Sequence, residues 1–380
     1  MIPLMTPMQS AQAVLPALPF PPNPAWLRDY DPIPARETGV VALAFRGDTV
    51  FVLSQIRAGT ISISGFDPDE KPRRGTADIL LTKCDRETGK VVWRYVFDSD
   101  EHGDESATAI HLAQNGDLVI GGTTDAGLFN TGRVEMANDA THLLVITVSP
   151  DGKPRWTARW RSEVSGVVSP PASLVAGKSG AVYVLAGLFL EVGQKADAVL
   201  AKFVDGKLVW LKRIMGAGAS ESFAPGEVVI NADASETVTL CGSASRINTA
   251  PDANGRFPFL AQYLSSGKPY WTRRFLFGDA MQNGFHRLVR DPTDGSFFAG
   301  GGSGVAHISP GGDILWKTDA SQSFAKNAPV IVRPENLALG AGGDVFVRYR
   351  FMQATHGTDD TAKTMRFDRA TGAVIAEPNP

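Results

Sequence analysis

Cysteine is nearly missing from this chain, long apolar runs are missing altogether, and the charges almost cancel. Only Cys84 and Cys241 occur among 380 residues, and they form neither a CxxC pair nor a disulfide framework. Both fall in β-patterned runs, LLTKCD and VTLCGS, where a small buried thiol packs well. No stretch of apolar residues reaches the length needed to span a bilayer. The opening MIPLMTPMQSAQA ends in an Ala-Gln-Ala that resembles a signal-peptidase site, but it has no basic start and too short an apolar core, so no intact export signal is expected. Thirty-seven basic against 40 acidic residues leave a net charge of −3, which argues against nucleic acid as a partner. No segment keeps a 3.6-residue apolar period over three turns. GxSxG, HExxH, Walker and Rossmann motifs are all absent.

What the chain does have is turns. Gly 39 and Pro 25 together make 64 residues, about 17% against roughly 12% in average proteins, with no collagen period. A glycine followed four residues later by tryptophan recurs down the chain: GKVVW ending at Trp93, GKPRW at Trp156, GKLVW at Trp210, GKPYW at Trp271 and GDILW at Trp316. A worn sixth copy, GAVIA, ends at Ala376. The spacings are 63, 54, 61, 45 and 60 residues, so a fixed core unit carries loops of variable length. Within each unit four alternating runs are separated by Gly, Asp and Asn turns, as in ATAIHLA/DLVIGGTT followed by THLLVITV/KPRWTARW. Six units of four antiparallel strands predict an all-β chain: a single six-bladed β-propeller over 25–380, preceded by a Pro-rich extension over 1–24. The tryptophans sit inside strands, where a flat side chain fills the wedge between neighbouring sheets.

The segments Asp85-Arg-Glu-Thr-Gly-Lys-Val-Val-Trp93 and Asp368-Arg-Ala-Thr-Gly resemble the strand-turn-strand of quinoprotein-like (PQQ-type) propeller repeats, and the units DILLTKCDRETGKVVWRYVF and AIHLAQNGDLVIGGTT are similar to bacterial SBBP β-propeller repeats. The resemblance spans roughly residues 40 to 376 and implies a fold more than a function. Quinoprotein dehydrogenases of this style have eight blades and a calcium site, whereas this chain has six anchors; no cofactor is predicted, and a divalent cation is possible. The resemblance leans the compartment towards extracytoplasmic.

Turn chemistry separates two ends of the ring. The turns inside hairpins are short and alike (RGD, QNGD, PDG, SSG), whereas the connections between hairpins and between units are long and dissimilar. Strands alternate in direction, so the two sets lie at opposite ends, and the long-loop end is expected to carry function. The candidate ligand-binding residues there are His102, Asp104, Glu105, Glu221, His286, Arg287, His356 and Asp359. The acidic run 98–105 with His102 could hold a divalent cation or do acid–base work, although it lacks EF-hand spacing and such runs are commonly solvated turns. His111, His142 and His307 fall in strand runs and read as packing residues.

Two classes of function remain. One is a binding propeller that takes a small polar ligand, a saccharide or a protein around its channel. The other is an enzyme, a lyase, hydrolase or quinoprotein-like oxidoreductase, with a His/carboxylate site at the channel mouth. The lack of a recognisable catalytic constellation favours binding. One further expectation concerns closure of the ring. Trp26 lies 14 residues before Val40, nearly the phase of Trp93 before Thr108 (15 residues), so residues 25–30 are expected to act as an outer strand of the last blade, or to pair beside 373–376, with Trp26 in the wedge that Ala376 leaves empty.

Overall fold

The computed structural model describes residues 24–30, 38–57, 77–97, 104–124, 142–161, 167–191, 195–214, 221–231, 235–246, 256–275, 284–302, 304–319, 330–353 and 361–375. Among them are six four-stranded antiparallel sheets, each made of four consecutive strands. Blade 1 holds β1 (Thr38–Arg46), β2 (Thr49–Arg57), β3 (Ala77–Asp85) and β4 (Val91–Phe97). Blade 2 holds β5 (Glu105–Leu112), β6 (Leu118–Thr124), β7 (His142–Val148) and β8 (Pro154–Trp160). Blade 3 follows with β9 (Val167–Ala176), β10 (Val182–Glu191), β11 (Lys195–Val204) and β12 (Lys207–Ile214), and blade 4 with β13 (Glu221–Ile230), β14 (Val238–Arg246), β15 (Arg256–Tyr263) and β16 (Pro269–Arg274). Blade 5 comprises β17 (Arg287–Arg290), β18 (Phe297–Gly301), β19 (Gly304–Ile308) and β20 (Ile314–Asp319). Blade 6 comprises β21 (Val330–Leu339), β22 (Val345–Gln353), β23 (Thr361–Phe367) and β24 (Val374–Ile375). The first strand of each sheet packs on the first strand of the next, from β1 on β5 through to β17 on β21, so these strands are innermost. The fold is a six-bladed β-propeller, as the repeats predict.

The repeated glycine and tryptophan work in opposite directions. Each glycine sits in the turn before the outermost strand at positive φ: Gly89 (72°), Gly152 (87°), Gly206 (76°), Gly267 (80°), Gly312 (90°) and Gly372 (71°). An added Cβ there would meet the indole of the preceding blade, at 3.0 Å for Gly152 against Trp93, 2.9 Å for Gly267 against Trp210 and 2.5 Å for Gly372 against Trp316. The indole N–H then donates to a carbonyl of the same turn: Trp93 to Pro150 (3.3 Å), Trp210 to Ser265 (3.0 Å), Trp271 to Pro310 (3.1 Å) and Trp316 to Arg369 (2.8 Å). So each glycine receives the indole of the blade before it, and the tryptophan four residues on reaches the blade after it. Both the left-handed backbone and the close approach require glycine.

Asp85 and Asp368 brace two of these turns. Asp85 Oδ1 accepts from Thr88 N (2.8 Å) and Oγ1 (2.7 Å), and Asp368 does the same with Thr371 (2.8 and 2.7 Å). The D-R-x-T-G motif is therefore turn chemistry.

The sixth repeat has Ala376 where the others have the tryptophan that reaches the next turn, and for blade 1 the N-terminal segment supplies the indole. Residues Ala25–Asp29 form a single 3-10 turn, Trp26 Nε1 donates to Arg86 O (2.9 Å), and a Cβ on Gly89 would lie 2.7 Å from the Trp26 ring. Trp26, Leu27 and Tyr30 cover Val50, Val52 and Cys84, which are wholly buried. Trp26 thus fills a wedge, but the segment is a helical turn rather than the expected strand. Leu27 N bonds back to Pro24 O (3.0 Å), which curls the chain just where a strand would have to extend.

The other end of the series looks different. On the outward side of blade 6, Arg348 and Arg350 keep 45% and 49% of their side-chain surface exposed. No β21-on-β1 packing comparable to the other joints occurs among the described residues. Trp26, Leu27 and Tyr30 cover the apolar face of blade 1. Cys84 in β3 and Cys241 in β14 are both buried free thiols, on blades 1 and 4.

Deleting residues 1–31 removes this cover together with the Trp26 contacts. The expected cost is about 3 kcal/mol or more, in the range for losing a large aromatic from a packed site, read as a lower melting temperature and denaturation midpoint. An unchanged melting temperature would mean that blade 1 does not depend on the segment.

Candidate functional site

Five innermost strands carry a bulge at matching places. The pairing with the second strand skips Val41 in β1, Thr108 in β5, Ala172 in β9, Gly226–Glu227 in β13 and Glu335 in β21. A bulged residue leaves the ladder and its side chain is re-aimed. Since these strands line the axis, the bulges set residues on the channel wall. In blades 1 to 3 these residues are Val41, Thr108 and Ala172, all uncharged and exposed. In blades 4 to 6 the wall is charged, with Glu227, Arg287 at the start of β17, and Glu335.

Side chains at or near these positions tie one blade to the next. Thr108 Oγ1 donates to Pro171 O (2.9 Å), and Ser173 Oγ accepts from Val228 N (3.3 Å). Glu227 Oε2 accepts from Leu288 N (2.7 Å), and Arg287 Nε donates to Glu335 O (2.6 Å). Between blades 1 and 2 the link is Gln55, whose Nε2 donates to Glu105 O and whose Oε1 accepts from Ala107 N (3.3 Å). These bonds hold the wall residues in place before any ligand arrives, which is the condition for a selective site.

Glu227 is the most perturbed acid on that wall. Burial pushes its carboxyl above the ordinary value of 4.5, opposed by the nearby Arg287 guanidinium and the Leu288 N–H. Its backbone N–H donates to Cys241 Sγ (3.3 Å), which itself points to Phe285 O (3.7 Å), and burial pushes that thiol up. The buried thiol packs among Leu260, Phe275 and Phe285. Glu335 lies between two guanidiniums, with Arg348 Nε at 3.6 Å and Arg350 at 3.3 Å.

Of the residues singled out from sequence, His102, His356 and Asp359 lie outside the described residues, as do the acids at 98, 100 and 101. Asp104 is exposed and its Oδ1 accepts from Ala77 N (3.2 Å). Glu105 opens β5 with no exposed surface, and its Oε1 accepts from Thr124 Oγ1 (2.9 Å). That places Glu105 in the joint between blades 1 and 2. Glu221 opens β13 opposite Arg246 and is not in a loop as expected, because the strand continues past its bulge instead of ending there. His286 is half-buried beside Arg287, and its backbone N–H donates to Gly300 O (2.9 Å). Glu105 and His286 both stand at the start of innermost strands, on blades 2 and 5. Among the described residues no group of three or more His, Cys, Asp and Glu is arranged to hold a metal ion.

His111, His142 and His307 lie in strands, as expected, and burial lowers the pKa of His111 and of His307. His307 stacks on Phe298 at 4.2 Å between centroids.

Glu227 and Glu335 were not among the sequence candidates. The signal for them was proline: Pro225-Gly226-Glu227 and Pro334-Glu335 sit in strand runs, and a proline within a strand marks an edge or a bulge.

No family model and no curated protein matches the chain. Similar solved structures include a protein of unknown function from Dyadobacter fermentans, at 10% identity over 87% of this chain and 94% of that one, with a TM-score of 0.47. An α-L-arabinanase of Penicillium chrysogenum complexed with arabinobiose is similar at 10% identity over 88% of this chain and 99% of the other (TM-score 0.46). The WD40 domain of SCAP from fission yeast is similar at 9% identity over 89% and 69% (TM-score 0.39). No helix among the described residues is long and apolar enough to cross a membrane.

The Glu227 carboxyl predicts a pH signature. Its folded-state pKa lies above the unfolded one, so the folded chain holds the proton more tightly and stability falls as pH rises from the ordinary Glu value through the folded one. Glu227→Gln lacks this loss. Melted at about pH 4 and about pH 7, the variant should gain on the wild type at the higher pH. The same difference in melting temperature at both pH values would contradict the raised carboxyl.

Proposed function

We propose that this propeller is a binding protein that takes a small polar ligand or a saccharide in the mouth of its channel. The observation that carries this reading is the channel wall of blades 4 to 6, where Glu227, Arg287 and Glu335 follow one another on adjacent innermost strands. Preorganised polar groups facing an uncharged half-wall suit a ligand with one polar and one less polar side. His102, His356 and Asp359, outside the described residues, stay candidates for ligand contact in this reading. The likeness of the DRETG and DRATG units to quinoprotein-like and SBBP repeats supports the architecture without requiring a quinone.

A second reading is an enzyme, favoured by one observation: the raised carboxyl of Glu227 beside Arg287 has the properties of a general acid in a hydrolase or lyase. Under that reading Glu227→Gln keeps binding and loses turnover.

The test places a bulky side chain in the channel. Ala172 is exposed at the bulge of β9, so Ala172→Trp obstructs the mouth without entering the blade core. Ligands found by titrating the wild type with small sugars and sugar derivatives should bind the variant at least about tenfold more weakly, the equivalent of one lost polar contact, with the melting temperature held. Binding that survives the substitution would move the site away from the channel.

A further inference from the structure

The outermost strands of blades 3 to 5 are basic in a chain that is not. Together β12, β16 and β20 carry six cations and one acid, whereas the whole chain has a net charge of −3. They stand side by side on the outside of the ring, since Trp210 seats on the blade 4 turn at Gly267 and Trp271 on the blade 5 turn at Gly312. Lys212 and Arg273 lie along those same turns: an added Cβ on Gly267 would be 3.0 Å from Lys212 Cε, and one on Gly312 would be 2.7 Å from Arg273 Cγ. Arg213 is held by the buried Asp197. The side chains of Lys207, Lys212 and Lys268 make no ion pair among the described residues, and Arg273 gives its described bond to a neutral carbonyl, Thr272 O (3.3 Å). The turn acids Asp205 and Asp313 offset two of these four charges and leave the rest.

Apolar side chains stand among the cations. In each of these strands the pairing skips the residue before the tryptophan, and the bulged Val209, Tyr270 and Leu315 are 55%, 65% and 55% exposed. Leu208 and Ile314 are exposed beside two of them. In blade 2 the bulged residue is Arg155, so the backbone does not demand an apolar one. Such a bulge blunts the edge against an added strand. A protein partner packs on a contiguous apolar centre, whereas here Lys212 and Arg273 stand at the joints from one strand to the next. A free polyanion has no use for the apolar part. Single apolar side chains with cations beside them suit a lipid surface, which admits each one between its headgroups.

We propose that the outer side of blades 3 to 5 docks on an anionic lipid surface, with Val209, Tyr270 and Leu315 at headgroup level and Lys207, Lys212, Lys268 and Arg273 over the negative charge. This surface belongs to the outermost strands and not to the channel wall, so it stands independently of the channel reading.

The experiment floats the full chain with vesicles of phosphatidylcholine alone and of phosphatidylcholine with about one third phosphatidylglycerol. The mixed vesicles should bind at least about tenfold more tightly, since each cation near an anionic surface is worth about fivefold, and that binding should weaken as salt is raised. Lys268→Gln/Arg273→Gln should lower it at least about tenfold. Tyr270→Ser/Leu315→Ser, which keeps every cation, should lower it at least about fivefold with the melting temperature held. Should that pair melt early, Tyr270→Ser alone carries the same readout. Val92→Ser, at the matching bulge of blade 1, should leave binding unchanged. No binding to either vesicle, or equal binding to both, would overturn the proposal. A loss in Val92→Ser as large as that in Tyr270→Ser would overturn the assignment to blades 3 to 5. Binding to polyglutamate that matches the mixed vesicles and survives Tyr270→Ser/Leu315→Ser would replace the lipid surface with a soluble acidic partner.

Discussion

The seating of an indole on a glycine turn of the neighbouring blade is the contact on which the ring depends. Each blade is a four-stranded sheet with an apolar face on either side, and it cannot bury either face alone. Inter-blade apolar clusters, such as Phe51, Leu53 and Leu81 of blade 1 against Leu118, Ile120 and Leu144 of blade 2, provide the bulk of the burial but little rotational precision. The indole N–H bond to the turn carbonyl fixes how far each blade rotates onto the next. Because glycine and tryptophan are four residues apart in one strand-turn unit, each copy of the motif is both receiver and donor. The chain of contacts then needs a donor at its start, and Trp26 is that donor.

A second, inner set of links runs along the axis. Its members are polar, and they stand at bulges where the ladder is already interrupted. The bulges take Glu227 and Glu335 out of the ladder, and each carboxylate has a partner, the Leu288 N–H for Glu227 and the two arginines Arg348 and Arg350 for Glu335. Glu227 ties blade 5 to blade 4 by accepting from the Leu288 N–H. The asymmetry of the wall, uncharged in blades 1 to 3 and charged in blades 4 to 6, follows from the residue at each bulge, while the backbone repeats.

The architecture was legible because glycine and tryptophan mark a contact that every blade must make. Blade number, strand order, the packing role of the strand histidines and the phase of Trp26 all follow from that spacing. The shape of residues 25–29 was not legible, since placing one indole does not require a strand and Pro24 favours a turn. The site was less legible than the fold. Histidines and acids between strand runs are the visible candidates in the sequence, yet Glu105 is a buried joint and Glu221 is part of a strand. Glu227 and Glu335 were hidden in runs that alternate like ordinary strands, and only the prolines beside them showed that the ladder breaks there.

The most direct measurement of the account is hydrogen exchange on the Trp26→Ala variant. If the first indole holds the first blade, amides of β2, β3 and the turn at 86–90 should exchange faster than in the wild type, while those of β14 and β15 in blade 4 keep their protection. Blade 1 amides as protected in the variant as in the wild type would contradict the claim that an indole seated on the next turn is what holds each blade.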